Sequence, residues 1–182
     1  MANKQALREL QSRLAERLQA ARTQAPSVSW LAVECAGRGL LFPLSDAGEI
    51  FATAPIVPVA HVQRWFLGVA NLRGGLHGVV DLAEFLGVKR PERGSERARD
   101  GARDEARLVA FNAALELNCA LLVDRLAGLR SAGQMRAETQ PGAALPRPPF
   151  VGARMRDDGG RVWQELHLSA LARDEAFLKI AS

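Results

Sequence analysis

Tyrosine is absent from this 182-residue chain, and aromatic residues as a whole make up 5% of it. Proteins that stack bases in series need aromatic faces, so a base-stacking platform is poorly supplied here. Lysine is scarce too: of the 24 basic residues, only Lys4, Lys89 and Lys179 are lysines. Cys35 and Cys119 stand far apart, each in an apolar-alternating run. Two cysteines do not make a disulfide framework, and they read as buried free thiols of a cytoplasmic protein. No window approaches the ~18–20 apolar residues of a membrane span. The first thirty residues hold no continuous apolar stretch of the secretory kind.

Spacings that carry chemistry are missing as well. No G-x-x-x-x-G-K-[ST] and no G-x-S-x-G occurs. His61, His77 and His167 have no second ligand type four residues away, and neither cysteine lies near one, so there is no metal signature. Nothing sets a nucleophile, a base and an orienting group at a recognisable spacing. The expectation is a protein with no catalytic residues, no metal and no cofactor.

What remains is the balance of a globular chain: 48% apolar and 24% charged residues, with a net charge of +4. The length suits one ordinary domain, or two small ones sharing a core. A pI of about 9.8 keeps a small-barrel nucleic-acid binder as the alternative function. Against it, the arginines are interleaved with acids. ERGSERARDGARDEAR, residues 92 to 107, reads as a solvated mixed-charge linker rather than a phosphate-binding face.

Residues 3 to 22 predict a helix, with Leu7, Leu10, Leu14 and Leu18 forming one apolar stripe. That stripe packs either on its own domain or on a partner. After Pro26 the period becomes strand-like. In SWLAVECAG, Trp30, Ala32 and Glu34 fall on one face and Leu31, Val33 and Cys35 on the other. Gly37-Arg38-Gly39 turns into LLFPL, residues 40 to 44. Further strand-like runs are FLGVANL, LHGVV, RLVAFN, ALELNCALLV and RVWQELHL, with linkers at 89–106 and 137–150. A helical tail, LARDEAFLKIA, has Leu171, Phe177 and Leu178 to seat it. Many short strands with Gly and Pro turns indicate a mainly β sandwich or barrel.

The stretch NLRGGLHGVVDL, residues 71 to 82, invites a phosphate-loop reading. Its Gly74, Gly75 and Gly78 have the wrong spacing, however, and lead into a strand instead of a helix. Asp81 and Glu84 are spaced like a capping box at the start of a short helix that Gly87 ends, so Asp81 reads as a cap and not a catalyst. Arg73, at the end of a strand, has Glu49 as an available carboxylate partner. Taken as a whole the stretch is a strand, a Gly-Gly bend, a strand and a capped helix.

WFLGVANLRGGLHGVVDLAEFLG, residues 65 to 87, resembles the signature of CheW-type chemotaxis coupling proteins: an apolar strand, G-V-x-N-L-R-G, a second strand, then D-L and a short helix. AGEIF before it and ALLVDRLAGL, residues 120 to 129, after it keep the same order, and the resemblance spans about residues 28 to 170. The leading helix, the W-x-E-L-x-L pattern from Trp163 and the tail DEAFLKI look most like the PilI branch, which serves type IV pilus systems and twitching motility.

The resemblance implies a non-enzymatic signal-transduction adaptor. It would couple the cytoplasmic tip of a methyl-accepting chemoreceptor to the regulatory domain of a CheA-type histidine kinase, without nucleic acid or membrane insertion. It implies two packed five-stranded SH3-like β-barrels, with an N-terminal helix over 1–26 and a short C-terminal helix. The first barrel would take about 27–74 plus C-terminal elements of the 27–182 domain, and the second about 75–168. The Gly-Gly bend would then be the crossing between them. Ala47, Gly68, Leu76, Leu126 and Leu129 would line the receptor groove, with Glu49 and Arg73 as its polar support. Arg136 would lie at a kinase-facing edge of the second barrel. Gly68 would admit the close approach of a partner's backbone. The hairpin FNAALELNC lacks the glycine expected in its turn, and the charged linker at 89–107 is longer than is usual for the family.

Overall fold

The structure, a computed structural model, describes residues 29–90, 105–138 and 147–182. The helix expected over 3–22 and most of the charged linker lie outside the described residues. Among the described residues, eleven strands form two sheets. The first has six strands in the order β8-β1-β2-β11-β10-β9: β1 (Ser29–Cys35), β2 (Arg38–Pro43), β8 (Arg125–Ser131), β9 (Met135–Ala137), β10 (Val151–Asp157) and β11 (Val162–Leu166). The second has five in the order β3-β6-β7-β5-β4: β3 (Ala47–Ala52), β4 (Phe66–Leu72), β5 (Gly75–Asp81), β6 (Arg107–Phe111) and β7 (Cys119–Val123). Short helices α1 (Leu82–Phe85), α2 (Leu168–Leu171) and α3 (Glu175–Leu178) complete the described elements. The mainly β, two-sheet expectation holds, with six strands in place of five on one side.

Both sheets curl towards closure. In the first, edge strands β8 and β9 are joined by a single 3-10 turn, Ala132–Gln134, so the two ends of the sheet meet. In the second, the chain after β3 lies along the outer edge of β4. There Val57 N–H donates to Val69 O at 2.8 Å and Val69 N–H donates to Val57 O at 2.9 Å.

Strand alternation explains the packing, because several strands are buried on both faces. On β1, Trp30 and Ala32 fill the interior of their own sheet with Leu41, Met135 and Trp163, while Leu31, Val33 and Cys35 enter a core shared by the two sheets. Likewise Leu108 and Ala110 of β6 face inward, and Val109 and Phe111 join the shared core. Each fully buried Leu, Val or Phe contributes about 1.5–3 kcal/mol, so this common layer welds the halves together. Leu171 and Phe177 of the tail are buried in it; Leu178, expected to help seat the tail, is exposed.

The structure corrects the expected crossing at Gly74-Gly75. Leu72 pairs with Gly75, so β4 and β5 form a tight hairpin within one sheet. Its two central residues, Arg73 and Gly74, have φ of 50° and 86°. Positive φ at both positions is the signature of a type I′ turn, whose twist suits antiparallel strands. Asn71 Oδ1 steadies it by accepting from Gly74 N–H at 2.8 Å. The chain passes between sheets elsewhere: at residues 44–46, and at Asp124, a single residue between β7 and β8. The run from 120 to 129 is therefore two strands in different sheets. ALEL, expected to extend β7, is a 3-10 turn (Ala113–Leu115) followed by Glu116 at φ 55°, which takes the left-handed role left open by the missing glycine.

Candidate functional site

The β4–β5 hairpin reaches across to the opposite edge of its sheet. Arg73 forms the expected ion pair with Glu49 of β3 and lies 5.9 Å over the ring of Phe51. Phe51 in turn meets His77 of β5, with ring centroids 6.2 Å apart. β3 and β4 are the two ends of the sheet, so these contacts help to close it. Side-chain exposures of 75% for Arg73 and 44% for Glu49 leave the pair largely in water, where such bridges contribute about 0–1 kcal/mol.

The expected groove residues fall into three groups. Ala47 and Leu126 are half-buried and pack against the shared core from different sheets. Leu76 and Leu129 are 63% and 62% exposed, one on each sheet. Gly68 is buried at φ 134°, in a bulge of β4, and a Cβ there would lie 2.2 Å from Val57 O. The backbone whose approach it permits is the chain's own Val57–Pro58 segment. Gly68 is thus a packing glycine, which corrects its reading as a position open to a partner. Arg136 lies on β9, an edge strand of the six-stranded sheet that holds the chain's first strands, and not in the sheet of residues 47–123; it stands 3.7 Å from Asp158.

Two polar clusters tie the two halves together, and a third braces the six-stranded sheet. Asp81 caps α1, accepting from Glu84 N–H at 3.2 Å, and also receives Arg90 through two bonds of 2.6 and 3.0 Å. Arg90 continues to Asp124 at 3.5 Å, and Asp124 accepts from Ala36 N–H at 2.8 Å in the β1–β2 turn. The hydrogen bonds to Asp81 hold the Arg90 guanidinium above its usual pKa. At the other crossing, buried Asp46 accepts from Ser169 N–H at 2.9 Å and from its hydroxyl at 2.8 Å. Glu34 is shared by Arg125 and Arg161, and its carboxyl is held below the ordinary range, first by Arg125. One signal was available for the first cluster: an Asp at each sheet boundary, with an arginine just beyond the α1 cap.

These carboxylates are already engaged with arginines or backbone N–H groups. Burial pushes the thiols of Cys35 and Cys119 up to about 12, so both are neutral and out of reach. Among the described residues, no group of three or more His, Cys, Asp or Glu is placed to hold a metal ion. No described helix is long and apolar enough to cross a membrane.

Two sheets curled towards closure, with exposed leucines on their strands, have the build of an interaction domain. More narrowly, the chain belongs to the CheW family: the model of the CheW-like domain matches residues 29–176. It is 26% identical over 171 residues to Protein PilI of Pseudomonas aeruginosa, an alignment covering 93% of this chain and 89% of that protein. In fold it resembles the scaffolding protein TtCheW from Thermoanaerobacter tengcongensis. The TM-score is 0.59 at 17% identity, over 79% of this chain and 92% of that one.

Proposed function

We propose that the chain is a non-enzymatic cytoplasmic adaptor. It holds the tip of a chemoreceptor and the regulatory domain of a CheA-type histidine kinase together, in the control of type IV pilus twitching motility. Membership of the CheW family and the likeness to PilI support the reading. The observation that carries it is the pair of leucines, Leu76 and Leu129, presented on the two sheets beside a shared core that Ala47 and Leu126 flank. An amphipathic helical hairpin takes such apolar anchors, and modest contacts suffice where avidity is supplied by an array.

Basic charge gives little support to the nucleic-acid alternative. The described arginines are repeatedly paired with acids, as Arg125 and Arg161 are with Glu34. A phosphate-binding face would instead leave them free and would bind with a steep salt dependence.

The test is titration of the purified chain with a receptor-tip fragment and with a kinase regulatory domain. Both are expected to bind. Arg73→Glu, which opposes Glu49, is expected to weaken the ternary assembly about tenfold while leaving the domain folded. A chain that binds neither partner ends the reading, and unchanged assembly by the variant removes Arg73 from the site.

A further inference from the structure

On the side of α1, two clefts adjoin and share Leu86 and Val151. One, of about 500 Å³, is walled by Trp65, Phe85, Pro148 and Phe150. The other, of about 510 Å³, has Leu40, Val88 and Leu166 for its floor and Arg38, Arg154 and Arg161 at its margin. None of the groove residues discussed above lines either cleft. Together they make a trough, aromatic at one end and basic at the other.

The charge at the basic end is in excess. Glu34 is shared by Arg125 and Arg161, and Glu138 is shared by Arg154 and Arg156, so in these described ion pairs four arginines meet two acids. Arg38 is exposed at the β1–β2 turn and has no ion pair among the described residues. Asp174, the one acid among the described residues that line the aromatic end, accepts from Phe177 N–H at 3.0 Å.

We infer that this trough is a docking site for an acidic amphipathic helix of a partner protein, with its apolar anchors against Trp65, Phe85 and Phe150 and its carboxylates toward Arg38, Arg154 and Arg161. Helix-in-groove recognition needs an apolar trough of this kind, and opposite charge fixes direction and register. Charge also selects among occupants. The chain's own residues 3–22 carry Lys4, Arg8, Arg13, Arg17 and Arg22 against Glu9 and Glu16, the wrong sign for a basic margin. The inference stands apart from the receptor and kinase reading, because it uses neither Arg73 nor the exposed leucines.

The experiment measures fluorescence anisotropy of two labelled amphipathic peptides with the full chain. One has a Leu/Glu pattern and the other a Leu/Lys pattern with the same apolar face. The acidic peptide is expected to bind and the basic one not. Arg38→Glu should weaken binding about tenfold, and Ala176→Gln, which sets a polar chain at the aromatic end, should weaken it severalfold. Both positions are exposed, so thermal melts should match the parent. Tighter binding of the basic peptide would assign the trough to a basic segment, such as residues 3–22 of this or a second copy, and overturn the inference. So would absence of binding, equal binding of both peptides, or indifference to both substitutions.

Discussion

The two sheets reach similar closure from opposite materials. The five-stranded sheet is one stretch of chain, residues 47–123, and its interior is built largely of small side chains, with Ala70, Ala110 and Ala120 beside Leu72, Val79 and Leu108. The six-stranded sheet joins residues 29–43 to 125–166, and its interior is built on Trp30 and Trp163. Both indoles keep a polar partner: Trp30 Nε1 donates to buried Glu165 at 2.7 Å, and Trp163 Nε1 donates to half-buried Asp157 at 2.9 Å. A small sheet can thus be filled by close approach of backbones, or by a few large side chains whose N–H groups must be satisfied. The first solution depends on backbone conformation and the second on volume, so the two should break differently.

The largest effect belongs to volume. Trp163 is 1% exposed and is faced by Arg161 at 4.5 Å from its ring. Trp163→Ala is expected to destabilise by about 3–5 kcal/mol in urea unfolding, since large-to-small changes leave a cavity behind. A loss under about 1 kcal/mol would mean that the six-stranded sheet collapses around the gap, and that it is not built on its indoles. Next comes backbone conformation in the other sheet. Gly68→Ala adds one methyl group, yet φ 134° and the Val57 carbonyl both oppose it. The expected cost is about 2–3 kcal/mol, read in the same way. A neutral result would show that the Val57 bridge is dispensable to closure.

The same division explains what could be read from the sequence. Residues 65–87 are local: strand, turn, strand and cap follow one another, so periodicity and cap spacing place β4, β5 and α1 almost to the residue. The alternation of β1 also assigns its two faces as found. Asp124 is harder, because a chain that changes sheet at a single residue leaves no Gly or Pro turn to mark the crossing. The six-stranded sheet pairs β1 with β8 and β2 with β11, strands far apart in the chain, and local pattern carries no register for such pairs. Of the candidate site, the Arg73–Glu49 pair was legible from the place of Arg73 at a strand end, although the hairpin turn that carries it was expected as a crossing. Gly68 misled, since a glycine's freedom says that a backbone approaches but not whose.

Acid should separate the two sheets further. Glu34, on the six-stranded sheet, has its carboxyl lowered below 4.5 by Arg125 and Arg161. A lowered folded pKa adds stability above the unfolded value, and that stability disappears as the pH falls through the folded one. Stability measured from pH 6 down to pH 3 should therefore fall more steeply in the parent than in Glu34→Gln. Equal slopes would mean that the carboxyl gains nothing from its arginines on folding.

The smallest effect is expected at the five-stranded sheet's own ion pair. Arg73 and Glu49 are too exposed for their attraction to exceed about 1 kcal/mol. Arg73 is also a non-glycine residue at φ 50°, which carries a steric cost of about 1–2 kcal/mol. The two terms oppose each other, so Arg73→Gly should leave the melting temperature within a few degrees of the parent, whereas Arg73→Ala keeps the cost and loses the pair. If Arg73→Gly instead melted far below the parent, side-chain closure by Arg73 would outweigh the turn. The contrast between a sheet held by backbone conformation and one held by buried volume would then fail at its most exposed point.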